Sequence, residues 1–332
     1  TRTGNESGWS RFKASGRVGG LALAPEALAA SGTSPGSAHP ERPGRPGFRG
    51  ANIGFELDQS GGQATIDMAH GTLSFPGVFE EPTLPMDRLS ADLSWRLQGD
   101  DMDVTVSRMK LANADLQGQA SAQWRTSDPA RAPSGSRFPG VLQLQGTLSQ
   151  GRGERVHRYL PLVIAPSART YVKAAVLSGQ AQDVRFKVAG DLGHMPFERP
   201  QDGDFQVALR VKGLDLAFVP PGWQVTGLPP WPALRQLDGE LVFDRASMSA
   251  NVQSGGIAGA PGLRLGPLQA RIGHLASDGV VEVNGQAEGP LASMLAVVNH
   301  SPLAELTGQA LTQASASGPG VLKLHLAVPL AQ

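Results

Sequence analysis

The chain has 332 residues, and its 29 Lys plus Arg balance 29 Asp plus Glu, so there is no net positive field to hold nucleic acid or an anionic membrane surface. It has no cysteine, which excludes disulfide scaffolds, thiolate metal sites and cysteine nucleophiles. Glycine (42) and proline (26) are abundant without collagen periodicity and imply many turns. No apolar run approaches the roughly 18 residues of a membrane-crossing helix.

Residues 1–50 hold one strand, Trp9 to Val18, followed by a Gly/Pro/Ser-rich linker over 31–50. A hairpin follows, in which Ile53, Phe55 and Leu57 alternate, residues 59–62 turn, and Ala64, Ile66 and Met68 alternate back. The segment FPGVFEEPTLP, 75–85, has three prolines, which forbid a central strand and demand an edge or crossing segment. Three strands come next. Leu89, Ala91, Leu93, Trp95 and Leu97 face one way. Met102, Val104 and Val106 then alternate with polar residues, and after a bend so do Ala114, Leu116, Gly118, Ala120, Ala122 and Trp124. One dry face and one wet face mark an antiparallel sheet.

A second Gly/Pro/Ser-rich loop, 127–139, leads into a strand with Leu142, Leu144 and Leu148 on one face. Residues 153–179 break the rhythm. Val156, Tyr159 and Leu160 are spaced for a short helix ended by Pro161, and a second helix starts after Pro166 with Gly179 as its cap. Strands resume through Val184, Phe186 and Val188, then Phe205, Val207, Leu209 and Val211. PPGWQVTGLPPWP, 220–232, is a rigid excursion. The strand pattern returns at Leu237, Gly239, Leu241 and Phe243 and is broken once by a helix at about 290–299. It closes with Leu322, Leu324, Leu326, Val328 and Leu330.

No constellation for catalysis is visible. The one nucleophile-elbow match, Gly32-Thr33-Ser34-Pro35-Gly36, fails because Pro35 has no N–H to offer an oxyanion. The seven histidines never fall as HxH or HExxH, so nothing supports zinc or any other cofactor. Glu80-Glu81 and Asp100-Asp101 are acidic pairs, but adjacent strand residues point opposite ways, and Gly99-Asp100-Asp101 is explained as a turn. What the chain does carry is apolar surface, with few helices to cover it. One reading is a closed β core in a sandwich or barrel. The other is a long sheet whose dry face stays partly open, and the ligand that matches a continuous apolar surface is an acyl chain.

The stretches FPGVFEEP (75–82), LSADLSW (89–95), LANADLQGQ (111–119) and RVHRYLPL (155–162) resemble the central region of the YhdP family, the AsmA-like, TamB-type bridge-like lipid transport proteins of Gram-negative envelopes. GPLASMLAVVNHSPL and GVLKLHLAVPL resemble later repeats of that family, so the likeness spans most of residues 50–330. The resemblance implies a non-enzymatic, mainly β protein: an elongated, twisted antiparallel sheet forming an open apolar groove, with short helices between hairpins. It implies an internal periplasmic segment, held to the inner membrane by an N-terminal helix absent from this chain, that passes phospholipid towards the outer membrane.

On this reading the chain divides into 1–50 (partial strand and linker), 51–150 (groove), 151–182 (helical insertion) and 183–332 (groove). The groove lining is Leu89, Ala91, Leu93, Trp95, Leu97, Val104, Val106, Leu116, Ala120, Ala122, Leu142, Leu144, Val184, Phe186, Val207, Leu209, Leu241, Phe243, Leu324 and Leu326. Gly118, Ala120 and Ala122 leave room for a chain. Phospholipid acyl chains and the inner membrane are the expected partners, with outer-membrane or envelope proteins beside them and no nucleic acid. The alternative function is an envelope scaffold with a closed β core. Sixteen strands at about 4.8 Å spacing would span ~75 Å.

Overall fold

Period-two alternation of apolar and polar residues governs the chain, and the computed structural model, which describes residues 11–26, 44–133, 135–195, 197–275 and 279–329, turns it into strands. Among these residues fourteen strands form one sheet in strict sequence order, each hydrogen-bonded antiparallel to the next. They are β1 (Lys13–Leu23), β2 (Gly47–Asp58), β3 (Gly61–Ser74), β4 (Thr83–Gln98), β5 (Asp101–Ala112), β6 (Leu116–Arg125) and β7 (Val141–Arg152). The second half holds β8 (Val176–Asp191), β9 (Gly203–Leu216), β10 (Leu234–Asp244), β11 (Ser247–Ile257), β12 (Arg264–Ile272), β13 (Val280–Pro290) and β14 (Pro319–Pro329). Fourteen strands rather than sixteen shorten the expected span to ~62 Å, thirteen spacings of about 4.8 Å. No second sheet packs on the first among the described residues.

The alternation is kept in phase by bulges. His70, Arg108, Asp183 and Gln236 lie inside strands with positive φ. The β4–β5 register shifts between Ser90 and Asp92, and the β5–β6 register between Val106 and Met109. One extra residue set against its partner strand lets apolar side chains three apart stay on the same face. Strand β5 therefore does not end near Ser107, where the alternation falters: it runs on, with Met109 and Leu111 facing the Ala120 and Gly118 positions of β6. Carboxylates take up backbone donors at two bulges, as Gln236 N–H donates to Asp215 Oδ1 (2.9 Å) and Gly213 N–H to Asp238 Oδ1 (2.8 Å).

Several local expectations shift. The first strand lies at Lys13–Leu23, and Trp9 falls outside the described residues. Thr83, Leu84 and Pro85 belong to β4, since Pro85 pairs with Thr72 of β3 while pairing with β5 begins only at Arg88. A proline is tolerated there because one side of the strand carries no ladder. Ala114 is exposed in the β5–β6 turn rather than on the dry face. The helix α1 (Pro166–Ala175) stops where Val176 opens β8, so Gly179 is a strand residue with φ 125 and not a cap. It is preceded by a 3-10 turn, Gly153–Tyr159. Two further helices, α2 (Leu291–Asn299) and α3 (Leu303–Leu306), join β13 to β14.

In a sheet ordered this way connections alternate between the two ends of the strands. Those after even-numbered strands include tight turns at 59–60, 99–100 and 245–246. Those after odd-numbered strands carry the 75–82 strap, the helical segment 153–175, the 217–233 excursion, and α2 with α3. The other rim also carries the longer connections 126–140 and 192–202, but the α-helical cover collects along this one. Both buried clusters lie beneath it. Ala51, Met68, Leu84, Met86 and Leu89 form one, with Phe75, Phe79 and Tyr159 packed against them. Leu237, Ala260, Leu263, Leu265 and Ala287 form the other, capped by Met294 and Val297 of α2.

Candidate functional site

Strand register decides which apolar residues share a face. Phe55, Ala64, Leu93, Val106, Ala122, Leu144, Val188 and Phe205 pair in succession across β2 to β9. Leu209, Leu241, Ala250, Ala270, Val283 and Leu326 continue across β9 to β14. Phe205 and Leu209 are four residues apart on one strand and so share its face. The apolar face is therefore continuous from β2 to β14, its row stepping four residues along β9. Parallel rows flank it: Trp95, Val104, Trp124 and Leu142 on one side, and Phe186, Val207, Phe243, Met248, Ile272 and Val281 further along.

The residues expected to line a groove fall as follows. Leu89, Ala91, Ala120 and Val184 are buried; Leu97 and Leu326 are exposed. Leu93, Trp95, Val104, Val106, Leu116, Ala122, Leu142, Leu144, Phe186, Val207, Leu209, Leu241, Phe243 and Leu324 are half-buried. Side chains packed only by their sheet neighbours take this intermediate exposure, because nothing closes over them. Cover changes along a strand. On β4 it is nearly complete at Leu84 (4% exposed) under the covered rim and falls away to Leu97 (37%) at the opposite, turn-bearing rim.

Met109, Leu111, Leu148 and Leu268 belong to the same surface. Alternation alone misses the first two because the bulge at Arg108 breaks the count. The expectation that Gly118 leaves room for a chain is overturned, since a Cβ there would sit 2.6 Å from Leu148 Cδ2. Gly146 likewise lies under the Phe186 ring and Gly62 under Trp95. Large side chains fold over neighbouring glycines and level the face.

The covered rim is fastened by polar contacts among the sequence stretches singled out above. Phe79 bridges to Pro161, and Leu162 N–H donates to Val78 O at 2.8 Å. Arg169 pairs with Glu80 (2.8 Å), and Arg158 pairs with Glu81 (2.9 Å) and Asp115 (2.5 Å). Tyr159 Oη donates to Asp115 (3.1 Å) and accepts from Asn113 Nδ2 (3.0 Å). Burial pushes the Tyr159 phenol up to about 12. Burial works against the Arg158 charge, but Asp115 and Glu81 outweigh it and hold the guanidinium above its ordinary value. Further along, Tyr171 of α1 donates to Phe218 O (3.0 Å) and packs against Trp223 with the rings tilted at 48°. Glu80 and Glu81 are thus clasp residues, each held by an arginine.

A recess of about 1090 Å³ lies away from the apolar face. On each of several strands it takes two polar-face residues flanking one apolar-face residue, as in Gln119-Ala120-Ser121 and Arg185-Phe186-Lys187. It therefore lies against the wet side. The apolar face is an open surface walled along one rim, not an enclosed cavity. Among the described residues no group of three His, Asp or Glu could hold a metal ion, and the Gly32–Gly36 stretch lies outside them.

A family model described as YhdP protein matches residues 11–332. The chain belongs to the YhdP family. Comparison with curated proteins and with solved structures returned no match. Membership of the YhdP family suggests a bridge-like lipid transport protein of the cell envelope, in a transport family rather than an enzymatic one. No helix among the described residues is long and apolar enough to cross a membrane. In this YhdP-family chain the FPGVFEEP, LANADLQGQ and RVHRYLPL stretches converge on the clasp around Asp115, which gives their residues a shared structural task.

Proposed function

We propose that this segment conducts phospholipid across the periplasm, from inner to outer membrane, with acyl chains lying on the apolar face. The observation that carries the reading is the apolar row from Phe55 to Leu326, half-buried along most of its length and covered by no second layer among the described residues. An apolar surface of this extent on a protein in water calls for a ligand. Its chemistry suits passage: Leu, Val, Ala and Phe offer no directional grip, so an acyl chain gains contact area anywhere and is held tightly nowhere. The inner membrane and outer-membrane or envelope proteins are the partners this reading requires. A scaffold role would need the face filled by protein, and the buried clusters lie only under the covered rim. Organic extraction of the purified protein followed by mass spectrometry tests the proposal. Co-purifying phospholipid supports it, and lipid-free protein after expression in an envelope-bearing host contradicts it.

A further inference from the structure

At the turn rim between β4 and β7 the apolar face meets a charged edge. Trp95 and Trp124 sit on one cross-strand row with Val104 between them, and Leu97 pairs with Met102 one step nearer the rim. Leu97 and Met102 are exposed, and Phe138, 61% exposed, stacks on the Trp124 ring at 6.0 Å. The Trp124 indole N–H donates to Pro139 O at 2.9 Å, so its polar edge is satisfied while its ring faces the row. Tryptophan favours such a boundary, with one side apolar and the other wet.

Beyond the boundary Arg137 reaches Asp101 (2.8 Å) and Asp100 (3.4 Å) in the β4–β5 turn. Arg96, Asp103 and Arg125 pair in register on adjacent strands one residue along from the Trp95–Val104–Trp124 row, and so lie on the opposite, polar face. Arg137 stands between two aspartates, so the edge carries no net positive charge but offers both signs within a few ångströms. That complements a phosphate joined to an ammonium, while a net-anionic headgroup finds no positive field there. The opposite rim is walled by the clasped strap and helices, so lipid reaching the face from the side has this edge as its way in.

We infer that the turn rim between β4 and β7 is a lateral portal, seating a zwitterionic glycerophospholipid with its acyl chains across the Trp95–Trp124 row and its headgroup at the 99–101 turn. The inference rests on the conduit reading. Two variants test it: one with Trp9, Trp223 and Trp231 changed to Phe, which keeps Trp95 and Trp124, and one with Trp9, Trp95 and Trp124 changed to Phe. Each is mixed with phosphatidylcholine vesicles carrying either brominated acyl chains or a headgroup nitroxide. Both probes are expected to quench the Trp95/Trp124 variant, and the nitroxide to leave Trp223/Trp231 emission unchanged. Nitroxide quenching that is equal in the two variants, or stronger at Trp223/Trp231, overturns the portal and leaves the conduit reading standing. No quenching by either probe in either variant removes the conduit reading and the portal with it. A second measurement uses the exposed turn alone: Asp100→Arg with Asp101→Arg should raise quenching by phosphatidylglycerol vesicles relative to phosphatidylcholine, and an unchanged ratio overturns the headgroup assignment.

Discussion

Truncating Met86 and Leu97 to alanine puts opposite ends of one strand to the test. Met86 is 5% exposed in the cluster of Ala51, Met68, Leu84 and Leu89, with Tyr159 and Phe79 packed over it. Removing its side chain leaves a cavity that its neighbours close only partly, and such deletions cost about 2–5 kcal/mol. Leu97 is 37% exposed on the same face of the same strand, with no cluster above it. Full burial of a leucine is worth about 1.5–3 kcal/mol, and this one keeps over a third of its surface in water and leaves no enclosed void, so Leu97→Ala should cost about 1 kcal/mol. Urea unfolding followed by tryptophan emission reads the difference as a larger drop in midpoint for Met86→Ala at similar slope. Equal costs for the two would refute the account of a face walled at one rim and open at the other.

Charge placed on the apolar face should behave in two ways. Ala120→Arg, at a buried position beside Phe186 and Gly146, should destabilise by about 3 kcal/mol or more through an unpaired buried charge, whereas Leu144→Arg, half-buried, should fold and lose bound lipid, as circular dichroism and lipid extraction would report. Arg158→Ala leaves Asp115 buried without its closest cation and should cost about 3–5 kcal/mol, with faster amide exchange over 153–175. Asp215 has its carboxyl held below the ordinary value because the Gln236 N–H and Arg235 outweigh burial. A carboxylate lowered on folding stabilises above its unfolded pKa of 3.8, and that contribution is lost as pH falls through the folded value, so Asp215→Asn should flatten the acid limb of stability below about pH 4.

The one-sided sheet was legible because period two is written in the side chains of each strand. From Leu89 to Leu97 every second residue is apolar and no bulge intervenes within that run on its own strand. Pairing order was legible too, since short turns such as Gln59-Ser60 leave no choice of neighbour. What alternation could not carry was the bulges, because the residue that breaks the count at Arg108 or His70 is a polar one whose positive φ has no marker in its identity. The extent of cover was equally hidden. Strap and helices meet through contacts between residues far apart in sequence, Glu80 with Arg169 and Asp115 with Arg158, and no local pattern announces them. Gly118 misled for a related reason: a glycine leaves space only if no neighbour fills it, and Leu148 does.

Photo-crosslinking to lipid tests the central claim most directly. A diazirine-bearing residue at Leu93, Leu144 or Leu241, on the central apolar row, should yield phospholipid adducts by mass spectrometry, while the same residue at Asp92 or Gln143, adjacent on the opposite face, should yield none. Equal labelling of the two faces, or adducts only at Asp92 and Gln143, would contradict the assignment of the apolar face as the path of lipid.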